Sequence, residues 1–353
     1  MRRQLRLIPI TCLLLSLFAP FVTPRPAAAL DCLTPGTPGC MYGLPAFQYQ
    51  LLLTEMIAHP TPDVRPLSVD RDEIKKFSLY RVAHENITFY DAPNGSPSGS
   101  LDAGFNYLSV RRREGDWYEI KPGQWVPVSA LTFTRPSAFS GVLIDKPLSH
   151  TMAWVLTPVA PSSIPGQEPS KDTAKIARYT RLNIYASVKV GTWEWYLVGP
   201  GQWVEQRRVA RVLQSDKPEG IKGRWVSVDL FEQVLVAYDG DQMVFATLIS
   251  SGLPKWPTNL GLFRIWARLR TDAMSGAMGQ PDFYYLQSVP YVMYFDGAIA
   301  LHGAYWHDGF GYRHSHGCVN MSISDSRWLY DWTSNFYSDL QVNVWSSGEY
   351  LDG

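Results

Sequence analysis

Four of the seven histidines, His302, His307, His314 and His316, fall within fifteen residues, and Cys318 stands two positions beyond the last of them. The cysteine sits in the run Ser315-His316-Gly317-Cys318-Val319-Asn320, sixteen positions after the histidine of His302-Gly303. Sulfur attacks carbonyl carbon as the thiolate, whereas a free thiol with a pKa of about 8.5 is mostly protonated at neutral pH. An imidazole within reach takes that proton and can return it to a leaving amine. Gly317 permits uncommon backbone dihedrals just before Cys318, and successive amide N–H groups in such a turn can face a developing oxyanion. The grouping therefore points to nucleophilic catalysis by Cys318. Zinc is the competing use of such residues, but three ligands alternating along one extended segment is not a zinc spacing. No metal and no cofactor are expected, and His59, His84 and His150, which have no companions, read as ordinary residues.

Several short elements must position this loop. Trp225–Leu230 and Val234–Tyr238 alternate as strands, Asp239 to Gln242 turns, and Val244–Ile249 continues. Tyr291–Phe295 and Ala298–Leu301 are joined by Asp296-Gly297, a strong hairpin signal, and the second strand delivers His302. Asp325–Thr333 reads as a helix with Ser324 as its N-cap, and Val342–Trp345 as the closing strand.

Further upstream, Trp117-Tyr118 and Pro122-Gly123-Gln124-Trp125-Val126 recur as Trp195-Tyr196 and Pro200-Gly201-Gln202-Trp203-Val204, always at an offset of 78. A common offset of that length marks a repeated domain-sized unit rather than a solenoid. Five short β-type runs between Phe77 and Val128, separated by Gly, Pro and Asn turns, predict a small antiparallel barrel for the first copy. The pattern resembles bacterial SH3-like modules, with one copy at 71–133 and a diverged one at 138–213 interrupted by the Pro/Ser insertion at Pro158–Pro169. About half of the repeated Trp residues are expected in the barrel cores.

The N-terminus carries Arg2, Arg3 and Arg6, then an apolar stretch Leu7–Val22, then Ala27-Ala28-Ala29, the layout of a secretory signal over 1–29. Its removal takes four arginines and leaves 28 basic against 32 acidic residues, which makes nucleic acid an improbable partner. Residues 30–70 read as a linker or packing arm with one helical piece at Phe47–Ile57. Within it Cys32 and Cys40 flank a turn-rich loop and would pair in an oxidising compartment, leaving Cys318 as the free thiol. A secreted, cell-envelope location follows as an expectation.

The segment 220–346 resembles the L,D-transpeptidase (YkuD) catalytic domain, on the strength of His302-Gly303, Ser315-His316-Gly317-Cys318-Val319-Asn320, Ser250-Ser251-Gly252 and Pro257–Phe263. The resemblance implies a mainly β chain: two small SH3-like β-barrels followed by a β-sandwich-like catalytic domain with one or two helices. It also implies attack by Cys318 on the stem peptide of peptidoglycan at the L-centre carbonyl of a diamino acid, loss of D-alanine, and passage of the acyl group to an amine. On this reading His302 is the proton donor and acceptor, with the Gly303 carbonyl orienting its ring, and Ser315 and His316 shape the nucleophile loop. Gly317 and Cys318 supply the oxyanion-hole amides, while Asn320, Tyr305, Trp306 and Tyr294 contact substrate. The partners implied are donor and acceptor stem peptides, and the cell wall through the SH3-like modules. Two alternatives stay open: a hydrolase that gives the same thioester to water, and a protein that chiefly binds the wall.

Overall fold

The computed structural model describes residues 31–349 except Ser78, His84 and residues 335–339, so the expected signal at 1–29 and His84 lie outside the described residues. The chain is mainly β, and no sheet is closed.

Two seven-stranded sheets form the architectural centre. In the first, Gly261–Arg264, Gln341–Trp345, Arg224–Asp229, Val234–Asp239 and Gln242–Leu248 lie side by side, with Arg224–Asp229 and Gln341–Trp345 parallel. The short strands Val142–Leu143 and Arg65–Pro66 extend its edge, so the segment read as a linker and the start of the expected second repeated unit complete the sheet. In the second, the long strand Tyr284–Asp296 pairs with Ala267–Gly276 and with Ile299–Gly303, and Val319–Met321 runs parallel to the latter. The expected hairpin is present, with Gly297 at φ 53° in its turn. Val226, Val228, Leu235, Ala237 and Phe245 of the first sheet meet Met293, Phe295, Leu301, Val319 and Met321 of the second in a common core. Side chains alternate along a strand. Because Leu301, Val319 and Met321 fill this core, His302 and Asn320 project from the opposite face.

The helix Ile323–Trp332 begins two residues earlier than the sequence suggests. Ser322 is its cap, accepting the Asp325 N–H at 3.2 Å, and Ser324 lies inside the first turn. Asp325 is fully buried, accepts from the Gly141 N–H at 2.8 Å and the Thr247 hydroxyl at 2.6 Å, and ties the helix to the segment leaving the first repeated unit. Burial pushes its carboxyl up from 3.8 to about 6. The folded chain therefore holds this proton to higher pH than the unfolded chain. The resulting stabilisation is complete below about pH 4 and is lost as pH rises through about 6, on the order of 3 kcal/mol. Denaturant melts of Asp325→Asn across pH 4 to 7 should show that part of the slope removed.

The repeat is structural. Trp117–Lys121 pairs with Gln124–Pro127 as Trp193–Gly199 pairs with Gln202–Glu205. The partners Trp125↔Glu119 and Val126↔Tyr118 recur as Trp203↔Leu197 and Val204↔Tyr196, at the same offset of 78 seen in the sequence. A 3-10 turn follows in each copy, Val128–Ala130 and Gln206–Arg208. Trp125 and Trp203 are core, whereas Trp117 and Trp195 are only partly buried. The first copy is not a free-standing unit, because its strand Phe105–Ser109 pairs in parallel with Tyr284–Leu286 of the second large sheet.

The arm packs on the second copy, not the first. Leu44, Tyr49 and Met56, the last two on the helix Ala46–Ala58, cluster with Leu197 and Trp203, and the Trp203 indole N–H donates to the Tyr42 carbonyl at 2.8 Å. Cys32 and Cys40 are joined by a disulfide with Cα atoms 5.4 Å apart, and among the described residues Cys318 is the free cysteine.

Candidate active site

The loop that carries Cys318 is strapped to the neighbouring segment Ser250–Leu253. The Ser251 carbonyl accepts from the amides of His314 and Ser315 at 2.9 and 3.1 Å, the Leu253 amide donates to the Ser315 carbonyl at 2.9 Å, and Ser250 and Asn320 exchange two main-chain bonds. Thr258, which the sequence reading placed in the Pro257–Phe263 run without giving it a role, accepts from the Gly252 N–H at 2.9 Å and donates to the Gly317 carbonyl at 2.7 Å. Gly317 itself adopts φ 114°, outside the range L side chains favour, and an added Cβ would press on Ile299 at 3.3 Å. The loop is thus held at both ends and turned at its glycine.

The hairpin brackets the thiol. Cys318 Sγ accepts the Ala300 N–H at 3.4 Å and donates to the Ala298 carbonyl at 3.8 Å. Sγ keeps some access to the cleft, yet the packed walls push the thiol up to about 11, against a smaller lowering by the Ala300 amide. At rest sulfur therefore carries its proton.

His302 lies in register with Asn320 across the parallel strands, two residues from Cys318 along the chain of the loop. It is 2% exposed, and burial lowers its pKa to about 4, so the ring is neutral. Its Nδ1 lies 3.1 Å from the Gly303 carbonyl, which only accepts. The ring proton must then sit on Nδ1, leaving the Nε2 lone pair free to receive another. The cleft thus presents a neutral thiol on Cys318 and a neutral imidazole on His302.

Cys318, His302, His314, Ser315, His316 and Asn320 all line one cleft of about 650 Å³, with Trp306 on its wall. His316 is sandwiched by Trp256 and Tyr284, with ring centroids at 3.9 and 4.8 Å, and forms wall rather than base. Three expected assignments are corrected. Tyr305 is wholly buried, donates from its hydroxyl to the Gln287 carbonyl at 2.7 Å and packs in the core, so it cannot meet a ligand. Tyr294 donates its hydroxyl to Asp272 at 2.8 Å and stacks on Trp266, and it is not among the residues that line the cleft, although it lies close enough to Cys318 to feel a charge there. The Gly317 N–H already donates to Ser315 Oγ at 3.1 Å, so of the two loop amides the Cys318 N–H alone is without a partner among the described residues.

Ala103, Gly104 and Phe105 of the first repeated unit form part of the same cleft, which no pattern in the sequence indicated. The contact is close: the Phe105 N–H donates to the Phe283 carbonyl at 2.9 Å, and a Cβ on Gly104 would fall 2.4 Å from that oxygen.

Residues 223–343 match the family described as the L,D-transpeptidase catalytic domain, YkuD. Among solved structures the chain is similar to an L,D-transpeptidase from Stackebrandtia nassauensis, with 27% identity over 37% of this chain and 60% of that one and a TM-score of 0.29. It is similar also to residues 123–326 of the L,D-transpeptidase from Xylanimonas cellulosilytica, with 25% identity over 37% of this chain and 64% of that one and a TM-score of 0.30. The catalytic domain of the E. faecium L,D-transpeptidase gives 25% identity over 36% of this chain and 99% of that one, with a TM-score of 0.31. The chain thus spans under two thirds of the length of the first two. No curated protein matches it. Residues 223–343 therefore hold a YkuD L,D-transpeptidase catalytic domain.

Proposed function

We propose that the protein is a peptidoglycan L,D-transpeptidase with Cys318 as nucleophile. The observation that carries this reading is the meeting in one cleft of a thiol and a buried neutral imidazole whose Nδ1 proton is held by Gly303, within the matched domain. Sγ attacks the L-centre carbonyl of the diamino acid as its proton passes to Nε2 of His302, and the Cys318 N–H meets the oxyanion. Collapse breaks the amide bond, and D-alanine leaves with the proton from His302. An acceptor amine then attacks the thioester, gives its proton to His302, and releases the sulfur, which is reprotonated.

The repeated β-units are read as SH3-like modules that hold the enzyme at the wall, and the protein as one that works outside the cytoplasm. The order of residues at the N-terminus and the Cys32–Cys40 disulfide support that compartment. The first unit does more than bind, since it walls the cleft. In Gly104→Ala the new Cβ meets backbone, which cannot give way as a side-chain tip can. The strand must shift, and KM for the donor should rise roughly tenfold with a smaller change in kcat.

The test is to incubate purified protein with muropeptides bearing tetrapeptide stems and to follow products by mass spectrometry, with Cys318→Ala beside it. Crosslinked dimers that need Cys318 support transpeptidation. Trimmed monomers would reassign the thioester to water, and the absence of any thiol-dependent product, with binding to sacculi retained, would favour a wall-binding protein.

A further inference from the structure

His307 and Asn320 meet in a way that decides which end of an amide faces the cleft. Nδ1 of His307 lies 3.0 Å from the Gly309 N–H and accepts it, so Nδ1 carries no proton. Burial, reinforced by His314, His302 and Arg178 nearby, keeps the ring neutral far below the ordinary histidine range. A neutral imidazole with bare Nδ1 carries its hydrogen on Nε2. The carboxamide atom 3.1 Å from that nitrogen is set as Asn320 Nδ2, which would bring two donors face to face. An N–H there requires an acceptor, so the amide turns Oδ1 to His307, since the two ends of a carboxamide are told apart by their partners. The NH2 end then takes the position set for Oδ1, which is buried and where that oxygen finds no hydrogen-bond partner among the described residues. Asn320 is 1% exposed and lines the cleft on the sheet face that carries His302. A buried donor without a partner costs free energy that a ligand oxygen would offset.

We infer that His307 is a positioning residue: its Nε2–H holds the Asn320 carboxamide so that the NH2 group donates to an oxygen of the acyl donor bound over Cys318. The inference rests on the acyl-transfer reading of Cys318. It also supplies what the loop backbone lacks, because the Gly317 amide is already taken by Ser315.

The test uses the full chain with a synthetic tetrapeptide-stem donor and an amine acceptor. His307→Phe keeps a ring but loses the donor, whereas His307→Gln can place an amide N–H near the position of Nε2. His307→Phe should lower kcat/KM roughly tenfold or more, and His307→Gln should recover it to within about threefold. Asn320→Ala should lose as much as His307→Phe, and the double variant no more than Asn320→Ala alone, because one contact is removed in all three. Alkylation of Cys318 by iodoacetamide should be the same in His307→Phe and wild type. Nitrogen-15 spectra of the wild type should show the His307 proton on Nε2. The inference is overturned if the proton sits on Nδ1, if glutamine rescues no better than phenylalanine, or if the two losses multiply. Wild-type protein without Cys318-dependent turnover would instead overturn the transpeptidase reading, and the spectra would still decide the His307–Asn320 geometry. Should His307→Phe fail to fold, the glutamine variant and the spectra carry the test.

Discussion

His302→Gln is expected to lower kcat by roughly 10² to 10⁴, the range a positioned general base contributes. The argument begins with the thiol, which the cleft holds protonated, with a pKa pushed up to about 11. At pH 7 only about one sulfur in ten thousand would be thiolate, so attack depends on a base that removes the proton as the bond forms. His302 meets that need because its Nδ1 is committed to Gly303 and its Nε2 is bare. Glutamine can keep a hydrogen bond to Gly303 but has no basic lone pair. The pH profile carries the same information. Burial holds the imidazole near 4, so it is neutral, and competent as a base, at any pH above that value. Wild-type activity should persist at pH 5 and fall as pH drops through about 4, whereas the residual activity of His302→Gln should show no such limb.

Cys318→Ala should abolish acyl transfer, and Cys318→Ser should retain at most about a thousandth of it, since a hydroxyl is a far weaker nucleophile at a site built for sulfur. The thiol sits at the edge of the core, with its two weak hydrogen bonds to the hairpin backbone. Losing it should cost about 1 kcal/mol of stability or less, so both variants should fold and bind donor. The raised pKa gives a second check. Iodoacetamide should alkylate wild-type Cys318 slowly at pH 7, with a rate that climbs steadily through pH 9 as the thiolate fraction grows.

What could be read from the chain follows from the range of the forces involved. The Cys318 loop, the Asp296-Gly297 hairpin that presents His302, and the offset of 78 were legible because each is written in contiguous residues or in exact repetition. The pairing of Phe105–Tyr107 with Tyr284–Leu286 was not, since a strand pattern marks a face to be covered but not which distant strand covers it. For the same reason the short strands at 65–66 and 142–143 gave no signal of their place at a sheet edge. Tyr305 shows another limit: an aromatic three residues beyond His302 suits cleft and core equally, and here the Gln287 carbonyl and the ring of Tyr107 hold it in the core. Ser322 and Ser324 are both good caps, and only the backbone at Ser322, extended at ψ 157°, decides between them. His307 was visible as part of the histidine cluster, but its work depends on which nitrogen Gly309 occupies, which no spacing states.

The most direct measurement is mass spectrometry of the enzyme itself, incubated with a tetrapeptide-stem donor and no acceptor amine, quenched in acid and digested. The account predicts an adduct equal to the donor less D-alanine, attached through a thioester to the peptide that contains Cys318 and absent from Cys318→Ala. Turnover that persists in Cys318→Ala, or an acyl group found on any other residue, would contradict it.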